Sequence, residues 1–112
     1  MPEIPEVTPD ALDAPPFAEA LLLDVREPGE WLAGHAPGAH HVPMDEVAAA
    51  LAGIPRDRTI VAVCRSGGRS GRVTEYLVGE GFDAWNLAGG MQAWAACGRP
   101  VVTDAGGAGT VA

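Results

Sequence analysis

The sequence predicts an α/β domain with a largely parallel sheet, and three observations support this fold class. Short apolar runs alternate along the chain with segments of helical periodicity, the pattern of strands joined by helices. The strongest strand is Thr59–Val63 (TIVAV), whose β-branched residues follow one another almost without interruption. Ala20–Val25 (ALLLDV) is another short apolar run, as expected for a strand that helices cover on both faces.

The other elements follow in order between turn-forming residues. We expect an edge strand at Glu3–Thr8, because its prolines suit an edge better than the centre of a sheet. The remaining expected strands are His40–Val42 and Ala84–Leu87, with a final extended piece at Val101–Thr103. The expected helices are one turn at Pro9–Leu12 and longer segments at Pro28–Ala33, Asp45–Ala52, Arg69–Val78 and Gly90–Ala96.

The length of 112 residues suits one domain with a single core. We assign residues 3–103 to this domain and the Gly-rich residues 104–112 to a flexible C-terminal tail. The net charge of −8 argues against nucleic acid as a partner. No run approaches the ~18 apolar residues of a membrane span, so no membrane partner is expected. The N-terminus lacks the pattern of an export signal, and the cytoplasm is therefore the expected location.

The charge is unevenly distributed along the chain. Residues 64–72 contain three arginines and no acidic residue, whereas the other residues contain four arginines and fifteen acidic ones. A short cationic segment on an acidic chain indicates a small anionic substrate.

The same segment contains the residue best suited to chemistry, Cys64, directly after the strand that ends at Val63. In open α/β sheets, ligands bind beyond the carboxyl ends of the strands. Gly67 and Gly68 allow the backbone to curl so that successive N–H groups point inward, and the following helix adds its positive N-terminal end. Such surroundings lower the pKa of a thiol, so we predict that Cys64 is largely a nucleophilic thiolate at neutral pH.

Four segments of the sequence resemble the rhodanese homology domain, in the order that the family has them. They are LLLDVREPGEW (21–31), GHAPGAHHVP (34–43), VCRSGGRS (63–70), and Asn86-Leu87-Ala88-Gly89-Gly90 with Ala93-Trp94. The resemblance implies a three-layer α/β fold with a five-stranded, mainly parallel sheet and helices on both faces. It also implies a cysteine-centred loop that takes sulfane sulfur from a donor such as thiosulfate.

The resemblance and the residues together suggest a division of roles. Cys64 would carry the sulfur as a persulfide and pass it to a thiol, to cyanide or to a sulfur acceptor on a protein. Asp24 and Arg26 would be a supporting pair that fixes neighbouring loops. The donor and the persulfide would be bound by Arg65, Ser66, Gly67, Gly68, Arg69 and Ser70.

The length of the loop separates this interpretation from phosphatase or arsenate reductase chemistry on the same thiolate. Cys64 and Arg69 frame a C-x4-R loop, whereas the tyrosine-type and dual-specificity phosphatases resemble C-x5-R, and the corresponding position here is Ser70. A sulfur-relay module that acts on a protein partner stays an alternative. No cofactor and no metal is expected, because His40 and His41 have no further ligands at suitable spacing. Cys97 is interpreted as a small buried residue, and nothing in the sequence tells whether it acts as a resolving thiol for Cys64.

Overall fold

The fold was analysed in a computed structural model that describes residues 4–112. Five strands form one sheet in the order β1-β5-β4-β2-β3, and all four strand pairings are parallel. The strands are β1 (Glu6–Val7), β2 (Leu21–Asp24), β3 (His40–His41), β4 (Ile60–Val63) and β5 (Ala84–Leu87). The five-stranded parallel fold is therefore confirmed. The predicted β1 was longer and included Glu3, which lies outside the described residues.

Four α-helices accompany the sheet: α1 (Pro28–Ala33), α2 (Val47–Ala50), α3 (Gly68–Gly79) and α4 (Gly90–Ala96). Helices α1 and α4 have the predicted bounds, and α3 extends the predicted helix by one residue at each end. The predicted helix Asp45–Ala52 is instead one α-helical turn between two 3₁₀ turns, Met44–Glu46 and Leu51–Gly53. Only Val47 of these residues is fully buried, so little packing holds a longer regular helix here.

The sheet has a hydrophobic cluster on each face, and β4 contributes to both because its side chains alternate. Ile60 and Ala62 point towards α3, where Leu77 is completely buried. Val61 and Val63 belong to the opposite cluster, which includes Trp94 of α4. The central strand is therefore rigidly packed on both faces, and its carboxyl end is a fixed point from which the next residue is positioned.

The chain after α4 returns to the body of the domain. Val102 forms antiparallel bridges with His35 and with Ala108. The N–H of Thr110 then donates to the carbonyl of Ala33 at the end of α1, at 2.9 Å. The expected extended piece thus consists of isolated bridges, and residues 104–112 are hydrogen-bonded to the domain. The domain limits at residues 3 and 103 stay a prediction.

None of the helices in the described part of the chain is both long and apolar enough to cross a membrane.

Candidate active site

The candidate site lies at the carboxyl edge of the sheet, where β4 ends and α3 begins. Cys64 follows Val63 directly and exposes only 1% of its surface. The next residues form a tight loop, and Gly67 at its centre has a φ of +110° as the N-cap of α3. A left-handed residue at this position favours glycine, since a side chain would strain the backbone. The loop therefore turns the chain back over the sulfur within six residues.

Helix α4 holds the outer side of this loop. Its Met91 N–H donates to the carbonyl of Cys64 at 2.8 Å, and its Gln92 N–H donates to the carbonyl of Arg65 at 3.0 Å. The approach is so close that a Cβ on Gly90 would lie 2.7 Å from the carbonyl carbon of Arg65. Because these two carbonyls are engaged by α4, they do not compete for the hydrogen-bond donors on the inner side of the loop.

The sulfur of Cys64 receives hydrogen bonds from two groups of the loop. The N–H of Gly67 lies 3.0 Å from Sγ, and the hydroxyl of Ser70 lies 3.2 Å from it. Burial raises the pKa of the thiol, but hydrogen bonds from the Ser70 hydroxyl and from the backbone of Ser70, Gly67 and Ser66 together outweigh it. The net effect is a pKa below the ordinary value for cysteine, which favours the thiolate.

The two arginines of the loop have different surroundings. Arg69 donates through both terminal nitrogens to the carboxylate of Glu30 in α1, at 2.6 and 2.8 Å. This bidentate pair lowers the pKa of Glu30 to about 2 and raises the pKa of Arg69. The side chain of Arg65 is exposed and makes no hydrogen bond or ion pair within residues 4–112. Arg65 is therefore the loop cation that is available to an anionic ligand.

Glu30 also belongs to the N-terminus of its own helix. Its carboxylate accepts the N–H of Glu27 at 3.0 Å, and this contact is half of a capping box in α1. One carboxylate thus fixes both the start of α1 and the guanidinium of Arg69. Glu30 lies in the LLLDVREPGEW segment, but no role was predicted for it. Nothing in the spacing of the sequence shows that α1 faces the loop.

Asp24 and Arg26 form a buried ion pair beside the loop. The Nε and Nη2 atoms of Arg26 donate to the Asp24 carboxylate at 2.8–3.1 Å, and Nη2 also donates to the carbonyl of Gly34. Both side chains are almost completely inaccessible to solvent. The pair lies at the end of β2, which is next to β4 in the sheet. Through the carbonyl of Gly34, the pair joins this end of β2 to the turn after α1. Neither side chain is positioned to contact a small ligand in solvent.

The last member of the site, Asn86, comes from strand β5 on the other side of β4. Its Nδ2 donates to the carbonyl of Gly67 at 3.1 Å and to the carboxylate of Glu6 at 3.0 Å. Its Oδ1 accepts the hydroxyl of Ser70 at 2.6 Å. Asn86 thus contacts the middle and the end of the cysteine loop. The sequence offered one signal for a functional role of Asn86, which is a polar residue in the otherwise apolar strand AWNL. Its partners could not be predicted, because they depend on the order of the strands in the sheet.

Cys97 lies apart from this site at the end of α4. It is exposed rather than buried, so the prediction of a buried residue was wrong. The physical reason is that α4 turns Trp94 inward and leaves the residues after it, through Gly98, facing solvent. Within residues 4–112 no group of three His, Cys, Asp or Glu side chains is arranged to hold a metal ion.

Comparisons with known proteins agree with this fold. A model of the rhodanese-like domain family matches residues 8–97. An Allochromatium vinosum protein named sulfurtransferase is 40% identical over 89 residues, covering 79% of this chain and 83% of the relative. A rhodanese-related protein of Thermoplasma volcanium superposes with a TM-score of 0.83 at 28% identity, covering 89% of this chain and 99% of the other. A rhodanese-like domain protein of Staphylococcus aureus gives 0.72 at 34% identity, covering 81% and 91%.

The fold, the cysteine loop and these matches together define an α/β domain with a cysteine at the end of its central strand. The chain belongs to the rhodanese-like domain family.

Proposed function

We propose that this chain is a sulfurtransferase that moves sulfane sulfur from a thiosulfate-like donor to a thiophilic acceptor. The observation that carries the proposal is the hydrogen bonding of Cys64 Sγ by the Gly67 N–H and the Ser70 hydroxyl at the end of β4. A thiolate so stabilised is a nucleophile at neutral pH without a separate general base. The name of the Allochromatium vinosum relative supports the same class of activity.

The reaction has two displacement steps. In the first, the Cys64 thiolate attacks the outer sulfur of thiosulfate, and the bond between the two donor sulfurs breaks. Sulfite leaves with the electron pair of that bond, and the enzyme carries the outer sulfur as a persulfide. In the second step a thiol, cyanide or a protein sulfur acceptor attacks the outer sulfur and regenerates the thiolate. Such a sequence predicts ping-pong kinetics.

The loop residues have complementary roles in this scheme. The backbone N–H groups from Ser66 to Ser70 stabilise the negative charge, first on Sγ and then on the outer sulfur of the persulfide. Arg65 attracts the anionic donor and stabilises the departing sulfite, because its guanidinium is exposed. Arg69 holds the loop against α1 through Glu30 and contributes less to binding the donor.

The shape of the loop favours sulfur over phosphoryl chemistry. Cys64 is almost completely buried, and the chain reaches the buried Ser70 within six residues. Sγ thus lies in a cradle of closely spaced donors that suits a single added sulfur atom. The Arg69 guanidinium, which would have to face a phosphoryl group in a phosphatase, is occupied by a carboxylate.

Intact-mass measurement tests the proposal directly. Reduced protein incubated with thiosulfate is expected to gain the mass of one sulfur atom, and cyanide is expected to remove it. Cys64→Ser should gain nothing, whereas Cys97→Ser, which keeps the loop cysteine, should gain sulfur as the parent protein does. The absence of any gain would refute thiosulfate as donor, and incubation with a protein persulfide would then test the relay alternative. No gain from either donor would refute sulfur transfer itself.

A further inference from the structure

Asn86 has no assigned role in the sulfur transfer proposed above, yet it contacts the cysteine loop at two points. The residue is 2% exposed, and its amide is completely hydrogen-bonded by groups of three different elements. The orientation of the amide follows from its partners. The carbonyl of Gly67 and the carboxylate of Glu6 only accept hydrogen bonds, so the NH₂ group must face both of them. The carbonyl oxygen of Asn86 therefore faces Ser70.

The hydroxyl of Ser70 then has two acceptors and one proton. Asn86 Oδ1 lies 2.6 Å from Ser70 Oγ, and Cys64 Sγ lies 3.2 Å from it. When Cys64 is a thiol, both contacts are satisfied, because the S–H can donate to Oγ while the hydroxyl donates to Asn86. When Cys64 is a thiolate, the sulfur has no proton to offer. The Ser70 hydroxyl can give up its hydrogen bond to Asn86 and donate to the sulfur. If it keeps that bond, its oxygen lone pairs face the negative charge of the thiolate.

We propose that Asn86 is a positioning residue that competes with the Cys64 thiolate for the proton of Ser70. The inference rests on the proposed function in that Cys64 is taken as the sulfur carrier. In the persulfide the negative charge is on the outer sulfur, and Sγ no longer needs the hydroxyl of Ser70. The Ser70 proton then returns to Asn86. Asn86 thus disfavours the empty thiolate relative to the sulfur-loaded state, and it acts on Cys64 only through Ser70.

The charged groups around the site are, from the loop and α3, Arg65, Arg69 and Arg72, from α1 Glu30, from the end of β2 Asp24 and Arg26, and from β1 Glu6. All of them except Glu6 act on every variant alike and therefore do not account for this competition. Glu6 is in contact with Asn86. A Glu6→Gln variant keeps an acceptor for the amide and therefore serves as a control for changes in charge.

A double-mutant cycle on the thiolate titration tests the proposal. Four proteins are compared, each with Cys97→Ser so that Cys64 is the only thiol: the parent, Ser70→Ala, Asn86→Leu and the double variant. The pKa of Cys64 is obtained from thiolate absorbance and, independently, from the pH dependence of its alkylation rate. Neither readout needs a sulfur donor, so failure here and failure of the sulfur transfer are distinguishable.

Asn86→Leu also removes the contacts with Gly67 and Glu6, and its effect in the Ser70→Ala background measures the loss of these two contacts. With Ser70 present, Asn86→Leu is expected to change the thiolate-to-thiol ratio by a factor about threefold to tenfold larger than the factor in the Ser70→Ala background, because the released hydroxyl can donate fully to the sulfur. Equal effects in the two backgrounds would show that Asn86 only holds the loop in place. A smaller effect with Ser70 present than in the Ser70→Ala background would contradict the proposal. Asn86→Ala is run in the same cycle in case leucine prevents folding.

Discussion

At the scale of single residues, the ion pair between Glu30 and Arg69 connects the stability of the fold to the geometry of the cysteine loop. The carboxylate is only 20% exposed and accepts hydrogen bonds from both terminal nitrogens of the guanidinium. Since the pair also takes Arg69 away from an incoming anion, it gives the two loop arginines different tasks. In the proposed mechanism Arg65 binds the donor and Arg69 holds the loop.

The Glu30 pair predicts a specific dependence of stability on pH. The pKa of Glu30 is lowered from 4.5 to about 2 by the hydrogen bonds of Arg69, so its contribution is complete above pH 4.5 and is lost as the pH falls through about 2. Because Arg69 is partly exposed, we expect a contribution of only about 1 kcal/mol. Urea unfolding at pH 5.5 and pH 3 should therefore show that the parent protein loses more stability on acidification than Glu30→Gln does.

The matched control is Glu75→Gln, which removes an exposed carboxylate of α3. It should lose as much stability on acidification as the parent protein. If Glu30→Gln also behaved like the parent protein, the Arg69 pair would not contribute to folding.

At the scale of elements, the cysteine loop is shaped by three neighbours as well as by the glycine turn in its own sequence. Strand β4 sets where it starts, α4 binds the carbonyls of Cys64 and Arg65, and β5 supplies Asn86. The contact with α4 requires glycine at position 90, where φ is +56° and a Cβ would overlap the backbone of the loop. The helix and the loop are therefore a single packing unit.

Gly90→Ala is predicted to disrupt the packing of α4 against the cysteine loop. The overlap with the Arg65 backbone and the left-handed φ together should lower the free energy of unfolding by about 3 kcal/mol. Sulfur loading of Cys64 should fall as well, because its carbonyl would lose the Met91 N–H. Chemical unfolding and intact mass after thiosulfate measure the two effects.

Gly79→Ala is the control, because a Cβ there meets nothing within 4 Å. It should leave both quantities close to those of the parent protein. Parent-like stability and loading in Gly90→Ala would show that the loop does not depend on α4.

At the scale of the whole molecule, the C-terminal segment connects to the end of α1 and not to the cysteine loop. Its contacts include the bridge between Val102 and Ala108, the hydrogen bonds from Thr110 to Ala33 and from Gly109 to Val101, and the Asp104 carboxylate 3.4 Å from Nε2 of His35. Val111 also packs beside the cluster on the α4 face. These contacts are few and lie at the surface, so the segment adds to the fold without defining it.

A chain that ends at Thr103 is therefore predicted to fold and to accept sulfur on Cys64. Loss of four backbone hydrogen bonds and one partly buried valine should lower the free energy of unfolding by about 2–4 kcal/mol. Urea unfolding together with the mass assay checks this. Val111→Ala in the 112-residue chain measures how much of this loss of stability comes from the valine side chain. A truncated chain that does not fold would show that the domain extends beyond residue 103.

The sequence by itself determined the parallel α/β fold, most element positions and the prominence of Cys64. These features depend on local patterns: β-branched runs such as TIVAV, the Gly-Gly turn at 67 and 68, and the order of the motif segments. The broken helix around Val47 and the exposure of Cys97 were missed because packing against the body of the domain, and not local propensity, decides them.

Only the tertiary structure decided which groups act together at the site. Glu30 reaches Arg69 across 39 positions of the chain, and the amide of Asn86 joins Ser70 to Glu6, which lies 80 positions before it. Such contacts depend on which strands are neighbours in the sheet and on the direction in which each helix packs. The sequence thus determined the proposed nucleophile, and the arrangement of strands and helices decided which groups bond to its sulfur and which arginine side chain of the loop stays unpaired within residues 4–112.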